Sequence, residues 1–328
     1  MRVITHNYQF KKYILMFLDS PLVDFNPLYS FVYEKLISGI IDKCQNSPQL
    51  LMIETTNACN SRCSFCARSK MRRKTNIMDF NLFRKVIDDS KELGIKFVDI
   101  HGFGEPLLDP LLVKRISYAK AKGIDFISIT TNGSLLNERF MNQLLDSGLD
   151  QIVISLDAFS ESVYEKIRPA LDFDLVEKNV KTLVKLRHER GSTKPKIMLA
   201  YVESQQNKSE TKRFVQKWQG VVDAVNVSYL HNWGGALNDV KYSNRTRKFH
   251  PCPFLWTSIV VSVDGQVPIC CLDYDNSAVL GSLNERSINE IWSGHKMKET
   301  RKSHLDHTFL ICNNCTYRPF WWELVWLM

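Results

Sequence analysis

From residue 51 the chain alternates short apolar runs with segments of helical period, and this alternation restricts the fold more than any other feature. The apolar runs are Leu51–Thr55, Phe97–His101, Phe126–Thr131, Gln151–Leu156, Lys196–Val202 and Ala224–Leu230. Helix-period segments lie between them, near 79–93, 108–122, 137–147, 173–190 and 207–219. Asp79 and Asn137 stand where N-caps belong, and Gly94, Gly123 and Gly148 stand where helices end. Runs that are apolar on both faces and separated by helices predict parallel strands joined by right-handed crossovers. Six such units are too few for a closed eight-stranded barrel.

The pattern changes after about residue 235, where Gly234-Gly235 reads as a linker. A hairpin is predicted beyond it: Thr257–Val263, a turn at Asp264-Gly265, then Gln266–Cys271. A helix near 287–302 follows, and residues 1–50 read as a mostly helical extension. Three regions result: 1–50, 51–235 and 236–328. The 44% hydrophobic content of the 328 residues supports a sizeable core. The formal charge is +8, with a basic run at Lys70-Met71-Arg72-Arg73-Lys74. No nucleic-acid-binding motif accompanies that run, so it is read as a solvated loop and no nucleic-acid partner is expected. The apolar run Tyr13–Leu18 is cut short by Asp19 and Pro21, too soon for a signal core or a membrane span. The aromatic end, Pro319–Met328, is expected to pack onto the body of the protein.

Nine cysteines are too sparse for a disulfide scaffold, and their clustering points to metal binding in a reducing, cytoplasmic setting. Three of them read Cys59-Asn-Ser-Arg-Cys63-Ser-Phe-Cys66. A 4Fe-4S cubane takes four thiolates, one per iron. Three thiolates leave one iron open, and an open metal position is where chemistry happens. The alternative is a zinc knuckle, although structural zinc prefers paired C-x2-C units and four ligands. A second set comprises Cys252, Cys270, Cys312 and Cys315, with twelve residues, Gly265 and four more residues between the first two. Four thiolates complete a second cluster, or a zinc ribbon. Cys44 reads as a small buried hydrophobe. Cys271 adjoins Cys270 and packs by default, with ligand substitution or hydrogen-atom donation as its other roles.

The Cys59–Cys66 spacing resembles that of the radical SAM superfamily. That resemblance implies a partial (βα)6 barrel in an α/β fold, with the cluster loop following the first strand. It implies S-adenosylmethionine (SAM) bound to the open iron, with Phe65 beside the adenine. Gly102-Phe103-Gly104-Glu105-Pro106 resembles the family's GGE motif, with Phe103 in place of the first glycine. There Gly104 lets backbone approach the ligand, and Glu105 receives the methionyl ammonium. Further SAM contacts are implied at matching strand ends: Thr131 and Asn132, then Ser155 and Asp157, with Ser155 on the ribose or carboxylate. Arg168 is implied to bind the methionyl carboxylate, a job suited to its bidentate fork. The second cysteine set resembles the opening of a SPASM domain. No cysteine follows Cys315, so the small α+β C-terminal region resembles the shortened form called Twitch, with one auxiliary 4Fe-4S cluster.

By this resemblance the chain is an oxidoreductase with two 4Fe-4S clusters. It cleaves SAM to a 5′-deoxyadenosyl radical and takes hydrogen from a small polyol such as a cyclitol or sugar. Oxidation is completed through the auxiliary cluster, as in the Twitch class that includes the butirosin-pathway cyclitol dehydrogenase. A flavodoxin- or ferredoxin-type protein is the expected electron donor. The alternatives are a peptide or protein maturase, or a radical epimerase, of the SPASM group. The 50 residues ahead of the barrel are too few for a winged-helix leader-peptide reader, which counts against a peptide substrate. Glu203, Tyr229, His231 and Asn232 fall at strand ends near the barrel mouth, and His231 is the candidate catalytic base.

Overall fold

Alternate side chains along the strands separate a greasy face from a polar one, and this division organises the molecule. The computed structural model describes residues 27–237 and 251–317. After helix α1 (Pro27–Lys43) the core runs β1 (Leu50–Ile53), α2 (Phe80–Glu92), β2 (Phe97–Ile100), α3 (Leu112–Ala121), β3 (Phe126–Thr131) and α4 (Glu138–Asp146). It continues through β4 (Gln151–Ser155), α5 (Glu161–Ile167), α6 (Phe173–Glu189), β5 (Lys196–Glu203), α7 (Thr211–Trp218) and β6 (Ala224–Tyr229). Asp79 and Asn137 cap α2 and α4 through their side chains, and Gly94, Gly123 and Gly148 follow helices at positive φ. Helix α5 carries no apolar periodicity long enough to have been read from the sequence.

Leu51, Ile53, Val98, Ile100, Ile127, Ile129, Ile152, Ile154, Ile197 and Leu199 are buried together with Phe83, Val86, Ile116, Met141 and Val180 of the helices. Their strand neighbours point the other way, because successive strand side chains alternate faces. That opposite face carries Met52, Asp99, Ser128, Thr130, Val153, Ser155, Met198 and Ala200. A parallel sheet with one polar face encloses a place for a polar ligand.

The sheet has seven strands in the order β6-β5-β4-β3-β2-β1-β7, all parallel. The seventh strand, β7 (Ser258–Val261), departs from expectation. It was predicted as one arm of a hairpin, and instead pairs with β1 in the register Leu50↔Ser258 to Ile53↔Val261. The Asp264-Gly265 turn exists, with Gly265 at φ 82°. The edge of β1 captured the strand before it, because an open edge leaves backbone donors and acceptors unpaired. The strand after the turn, β8 (Gln266–Pro268), pairs antiparallel with β9 (Val279–Ser282).

The helix predicted near 287–302 divides into α8 (Ile288–Trp292) and α9 (His295–Leu305) at Ser293-Gly294, and α10 (Leu310–Asn314) follows. Cys44 is buried against Tyr33, Ile37 and Ile40, as its hydrophobic reading anticipates. The basic run is not a solvated loop throughout. Arg73 is largely buried and pairs with Glu54, while the exposed Arg72 pairs with Asp275. Among the described residues no helix is long and apolar enough to cross a membrane. The apolar run at Tyr13–Leu18 and the aromatic stretch Pro319–Met328 lie outside the described residues.

Candidate active site

The cysteine loop leaves the carboxyl end of β1, the edge at which parallel α/β sheets bind ligands. It is held by its own sulfurs: the Ser61 N–H donates to Cys59 Sγ at 3.5 Å, and Ser61 Oγ lies 3.1 Å from Cys63 Sγ. Cys66 Sγ accepts from the Arg68 N–H and caps a short 3-10 turn, Ala67–Lys70. Burial pushes the Cys59 thiol up and the Cys66 thiol up to about 11, and the neighbouring Cys63 charge adds to both. Among the described residues no three His, Cys, Asp or Glu side chains close around one ion. The three thiols are neighbours whose negative charges oppose one another, and bound iron relieves that opposition because a coordinated thiol is deprotonated by the metal's own charge. The donor set therefore fits an iron–sulfur cluster.

Two buried ionic groups flank this loop. Glu105 accepts from Thr131 Oγ1 at 2.6 Å, the Asn132 N–H at 2.7 Å and the Leu107 N–H at 3.0 Å. Burial raises its pKa despite these donors. Its own N–H donates to the Ala58 carbonyl at 2.7 Å, so the turn is tied to the cysteine loop. Asn132 strengthens the tie by donating to Asn60 Oδ1 at 2.8 Å. A Cβ at Gly104 would sit 2.0 Å from the Thr56 carbonyl oxygen and 2.8 Å from that of Ala58. The sequence assigned this glycine to close approach of a ligand. In the structure the close approach is to the chain's own backbone.

Arg168 follows α5 and sits against the cysteine loop. Its Nη1 is 3.4 Å from Cys63 Sγ, and its guanidinium lies 5.9 Å from the centre of the Phe65 ring. Nε and Nη2 both donate to Asp157, with Nε at 2.7 Å. Burial pulls the Arg168 pKa down, but the Asp157 and Cys63 charges outweigh it and the net shift is upward. Asp157, at φ 54°, spends its other oxygen on the Val202 N–H at 2.6 Å. Predicted as a SAM contact, Asp157 uses both carboxylate oxygens within the protein and holds Arg168 against the cysteine loop. Thr131 is likewise committed to Glu105. Ser155 ends β4 on the polar face, half-buried and opposite Ala200.

The second set of thiols also gathers. Burial pushes Cys252 well above the ordinary thiol value, and the charges of Cys270, Cys315 and Cys312 add to the shift. The Cys252 N–H donates to His304 Nε2 at 2.9 Å, and Cys270 Sγ accepts from the Leu272 N–H at 3.3 Å. Cys271 hydrogen-bonds the Cys270 thiol, lowering the pKa of Cys270 and raising its own.

A family model described as the radical SAM superfamily matches residues 53–215, and one described as an iron-sulfur cluster-binding SPASM domain matches residues 252–316. The chain belongs to the radical SAM superfamily. Membership brings SAM as a cofactor, and the SPASM domain brings auxiliary 4Fe-4S binding. The chain is 24% identical over 311 residues to a tungsten-containing aldehyde ferredoxin oxidoreductase cofactor-modifying protein of Pyrococcus furiosus, covering 82% of this chain and 87% of that one. It is 32% identical to a GTP 3′,8-cyclase of Chlorobaculum tepidum, over 44% of each chain. Two solved structures share the fold. BtrN in complex with AdoMet and 2-DOIA has a TM-score of 0.58 at 20% identity, covering 82% of this chain and 93% of that one. Streptococcus suis SuiB bound to precursor peptide SuiA has a TM-score of 0.66 at 15% identity, covering 82% and 70%.

In this radical SAM enzyme a cleft opens between the β1–β2 end of the sheet and the SPASM region. It encloses about 370 Å³ of empty space, counting its open mouth. Its lining includes Glu54, Arg73, His101, Phe103, Trp233, Cys270 and Cys271. Sequence reasoning missed Glu54, Arg73, His101 and Trp233. Trp233 donates from Nε1 to the Phe65 carbonyl at 2.7 Å and packs on Phe103, joining the linker to the cysteine loop. The alternation of β1 and β2 would have placed Glu54 and His101 on the polar face, but nothing local marked Arg73 as buried.

The residues predicted at the barrel mouth fare differently. Burial lowers the His231 pKa to about 4, and its Nδ1 accepts the Trp233 N–H at 3.2 Å. A neutral imidazole whose Nδ1 is an acceptor carries its hydrogen on Nε2, so His231 is placed as a donor and a poor base. Glu203 accepts from Thr211 Oγ1 on the helical side of the sheet. Asn232 is tied to the Asn314 carbonyl and to Thr316, beside the Cys312–Cys315 pair.

Proposed function

We propose that this radical SAM enzyme oxidises an alcohol of a small polyol, such as a cyclitol, aminocyclitol or sugar. The observation that carries the proposal is the small cleft that brings Gly102 and Phe103 of the SAM-side turn together with Cys270 of the second thiol set, with Glu54, Arg73 and His101 also in its lining. Bound together, a 4Fe-4S cluster and SAM supply a 5′-deoxyadenosyl radical able to remove hydrogen from an unactivated C–H bond. The protein's own residues do the rest. Cys59, Cys63 and Cys66 hold the open cluster, and Cys252, Cys270, Cys312 and Cys315 hold the auxiliary one. Glu105 and Arg168 take the two ends of the methionyl group, and Phe65 lies beside the adenine. Phe103 and Trp233 form an apolar wall against water, while Glu54 and Arg73 give the cleft a polar floor. Such a site positions one carbon and orients hydroxyl groups around it. A flavodoxin- or ferredoxin-type protein supplies the electron.

The likeness to BtrN, over 93% of that chain and with 2-DOIA bound, supports the small-molecule reading. The likeness to SuiB with its precursor peptide supports a maturase as the second reading. An anaerobic assay of the reconstituted enzyme decides between them. Release of 5′-deoxyadenosine is expected to rise with members of a panel of cyclitols, aminocyclitols and sugars, with a carbonyl product forming in parallel. Stimulation by peptides alone would overturn polyol oxidation in favour of the maturase.

A further inference from the structure

Oxidation of an alcohol requires a group that removes the hydroxyl proton, and His231 is poorly placed for that work. The cleft holds several other ionisable side chains, and most are already spent. Glu54 is paired bidentately with Arg73, at 2.7 and 3.0 Å, and also accepts from the Phe103 and Val263 N–H groups. Arg73 spends its Nε on the Tyr274 carbonyl. Asp273 accepts from the Ser277 and Ala278 N–H groups, one on each oxygen. Cys270 belongs to the auxiliary ligand set proposed above, and Cys271 is hydrogen-bonded to the Cys270 thiol. His101 is the exception.

His101 follows β2 and shares the polar face of the sheet with Asp99, two residues earlier. Its Nδ1 lies 3.5 Å from Asp99 Oδ2, and the two side chains are 34% and 22% exposed. The other Asp99 oxygen is buried and has no hydrogen-bond partner among the described residues. A carboxylate facing Nδ1 holds the hydrogen on that nitrogen and leaves the Nε2 lone pair for a proton. The next residues, Gly102 to Glu105, form the turn on the SAM side, and Cys271 lies across the same cleft.

We propose that His101, oriented by Asp99, is the catalytic base that takes the hydroxyl proton of the substrate in this cleft. The proposal rests on polyol oxidation. Loss of a hydrogen atom from the carbinol carbon leaves a carbon radical that still bears O–H. The O–H bond breaks, its proton becomes the Nε2–H of His101, and Asp99 stabilises the imidazolium. One electron then leaves the ketyl anion, completing C=O. Its acceptor is a one-electron oxidant of the iron–sulfur class, for which Cys252, Cys270, Cys312 and Cys315 supply ligands.

The charged and titratable groups around His101 are Asp99 on its own strand, Glu54 from β1, Arg73 from the cysteine loop, and Asp273, Cys270 and Cys271 from the SPASM region. Burial pulls the imidazole pKa down, while the Asp99 hydrogen bond and the Asp99 and Glu54 charges outweigh it and raise the net value. The base is therefore available only as pH rises through that raised value, which sets an acid limb on product formation.

Two measurements on the holoenzyme test the proposal. In the first, histidine-labelled protein is titrated by NMR, with His101→Gln identifying the signal. The midpoint is expected above the ordinary value of about 6.5 and is expected to fall in Asp99→Asn. An unchanged midpoint in that variant overturns the dyad. In the second, carbinol-deuterated polyols of the panel are supplied to wild type, His101→Gln and His101→Asn. Both variants are expected to keep their iron and to move deuterium into 5′-deoxyadenosine. Their carbonyl product is expected to fall about 100-fold or more. Asp99→Asn is expected to move the acid limb to lower pH. Wild-type rates of carbonyl formation in both His101 variants overturn the assignment. A wild-type enzyme that oxidises no polyol shows instead that the underlying reaction is wrong, and the proposal falls with it.

Discussion

A chain with Ala at Cys59, Cys63 and Cys66 is expected to release no 5′-deoxyadenosine, with any substrate, while keeping about half its iron. Two cubanes give about eight irons and eight sulfides per chain, so the variant should retain about four. The two thiol sets sit on separate segments: one on the loop after β1, the other at Cys252 ahead of β7, at Cys270 after β8, and at Cys312 and Cys315. Removing the first leaves the ligands of the second untouched. The loss of SAM cleavage is complete because only the three-cysteine set leaves an iron for SAM. Ala at Cys270 or Cys315 should do the reverse, abolishing carbonyl formation while SAM cleavage persists. Iron and sulfide analysis with a 5′-deoxyadenosine assay checks both variants. Stoichiometric zinc in wild-type protein prepared anaerobically, without iron-linked visible absorption, would contradict both.

The second large effect concerns Arg168 and Asp157, whose side chains are 8% and 0% exposed. Arg168→Ala removes the proposed partner of the methionyl carboxylate, and a hydrogen bond to a charged group is worth about 1.5–3 kcal/mol. It also strands the Asp157 charge in the interior, which costs about 3–5 kcal/mol of stability. A solvated arginine would lose SAM affinity alone on substitution, whereas the buried pair predicts loss of both affinity and stability. Replacing both partners by apolar residues, Arg168→Met with Asp157→Leu, should restore much of the stability and none of the SAM binding. Denaturant unfolding and equilibrium SAM binding on the three proteins measure the two effects separately. Normal stability in Arg168→Ala would show that Asp157 is compensated elsewhere. Recovered SAM binding in the double variant would remove Arg168 from the site.

The six barrel strands were legible because each is a short apolar run between capped helices, and period and punctuation agree at almost every boundary. β7 was not, since its partner is set by an open sheet edge more than 200 residues away. The turn Asp264-Gly265 marked where the chain reverses without saying which strand it would join. The cysteine sets were legible because ligand spacing is local. The cleft was not, because Glu54, Arg73, His101 and Trp233 come from four separate stretches and acquire meaning only by meeting. His231 shows how burial alters a local reading. A histidine near a strand end looks available until burial and the Trp233 N–H determine its protonation.

Radical oxidation of an alcohol carbon is tested most directly by the fate of one hydrogen. The wild-type holoenzyme is given a carbinol-deuterated polyol in ordinary water and, separately, the unlabelled polyol in deuterated water. Deuterium is expected in 5′-deoxyadenosine from the first, and from the second a carbonyl product with no solvent deuterium at the reacting carbon. An inverted alcohol carrying solvent deuterium at that carbon would mean redox-neutral epimerisation, and would contradict oxidation.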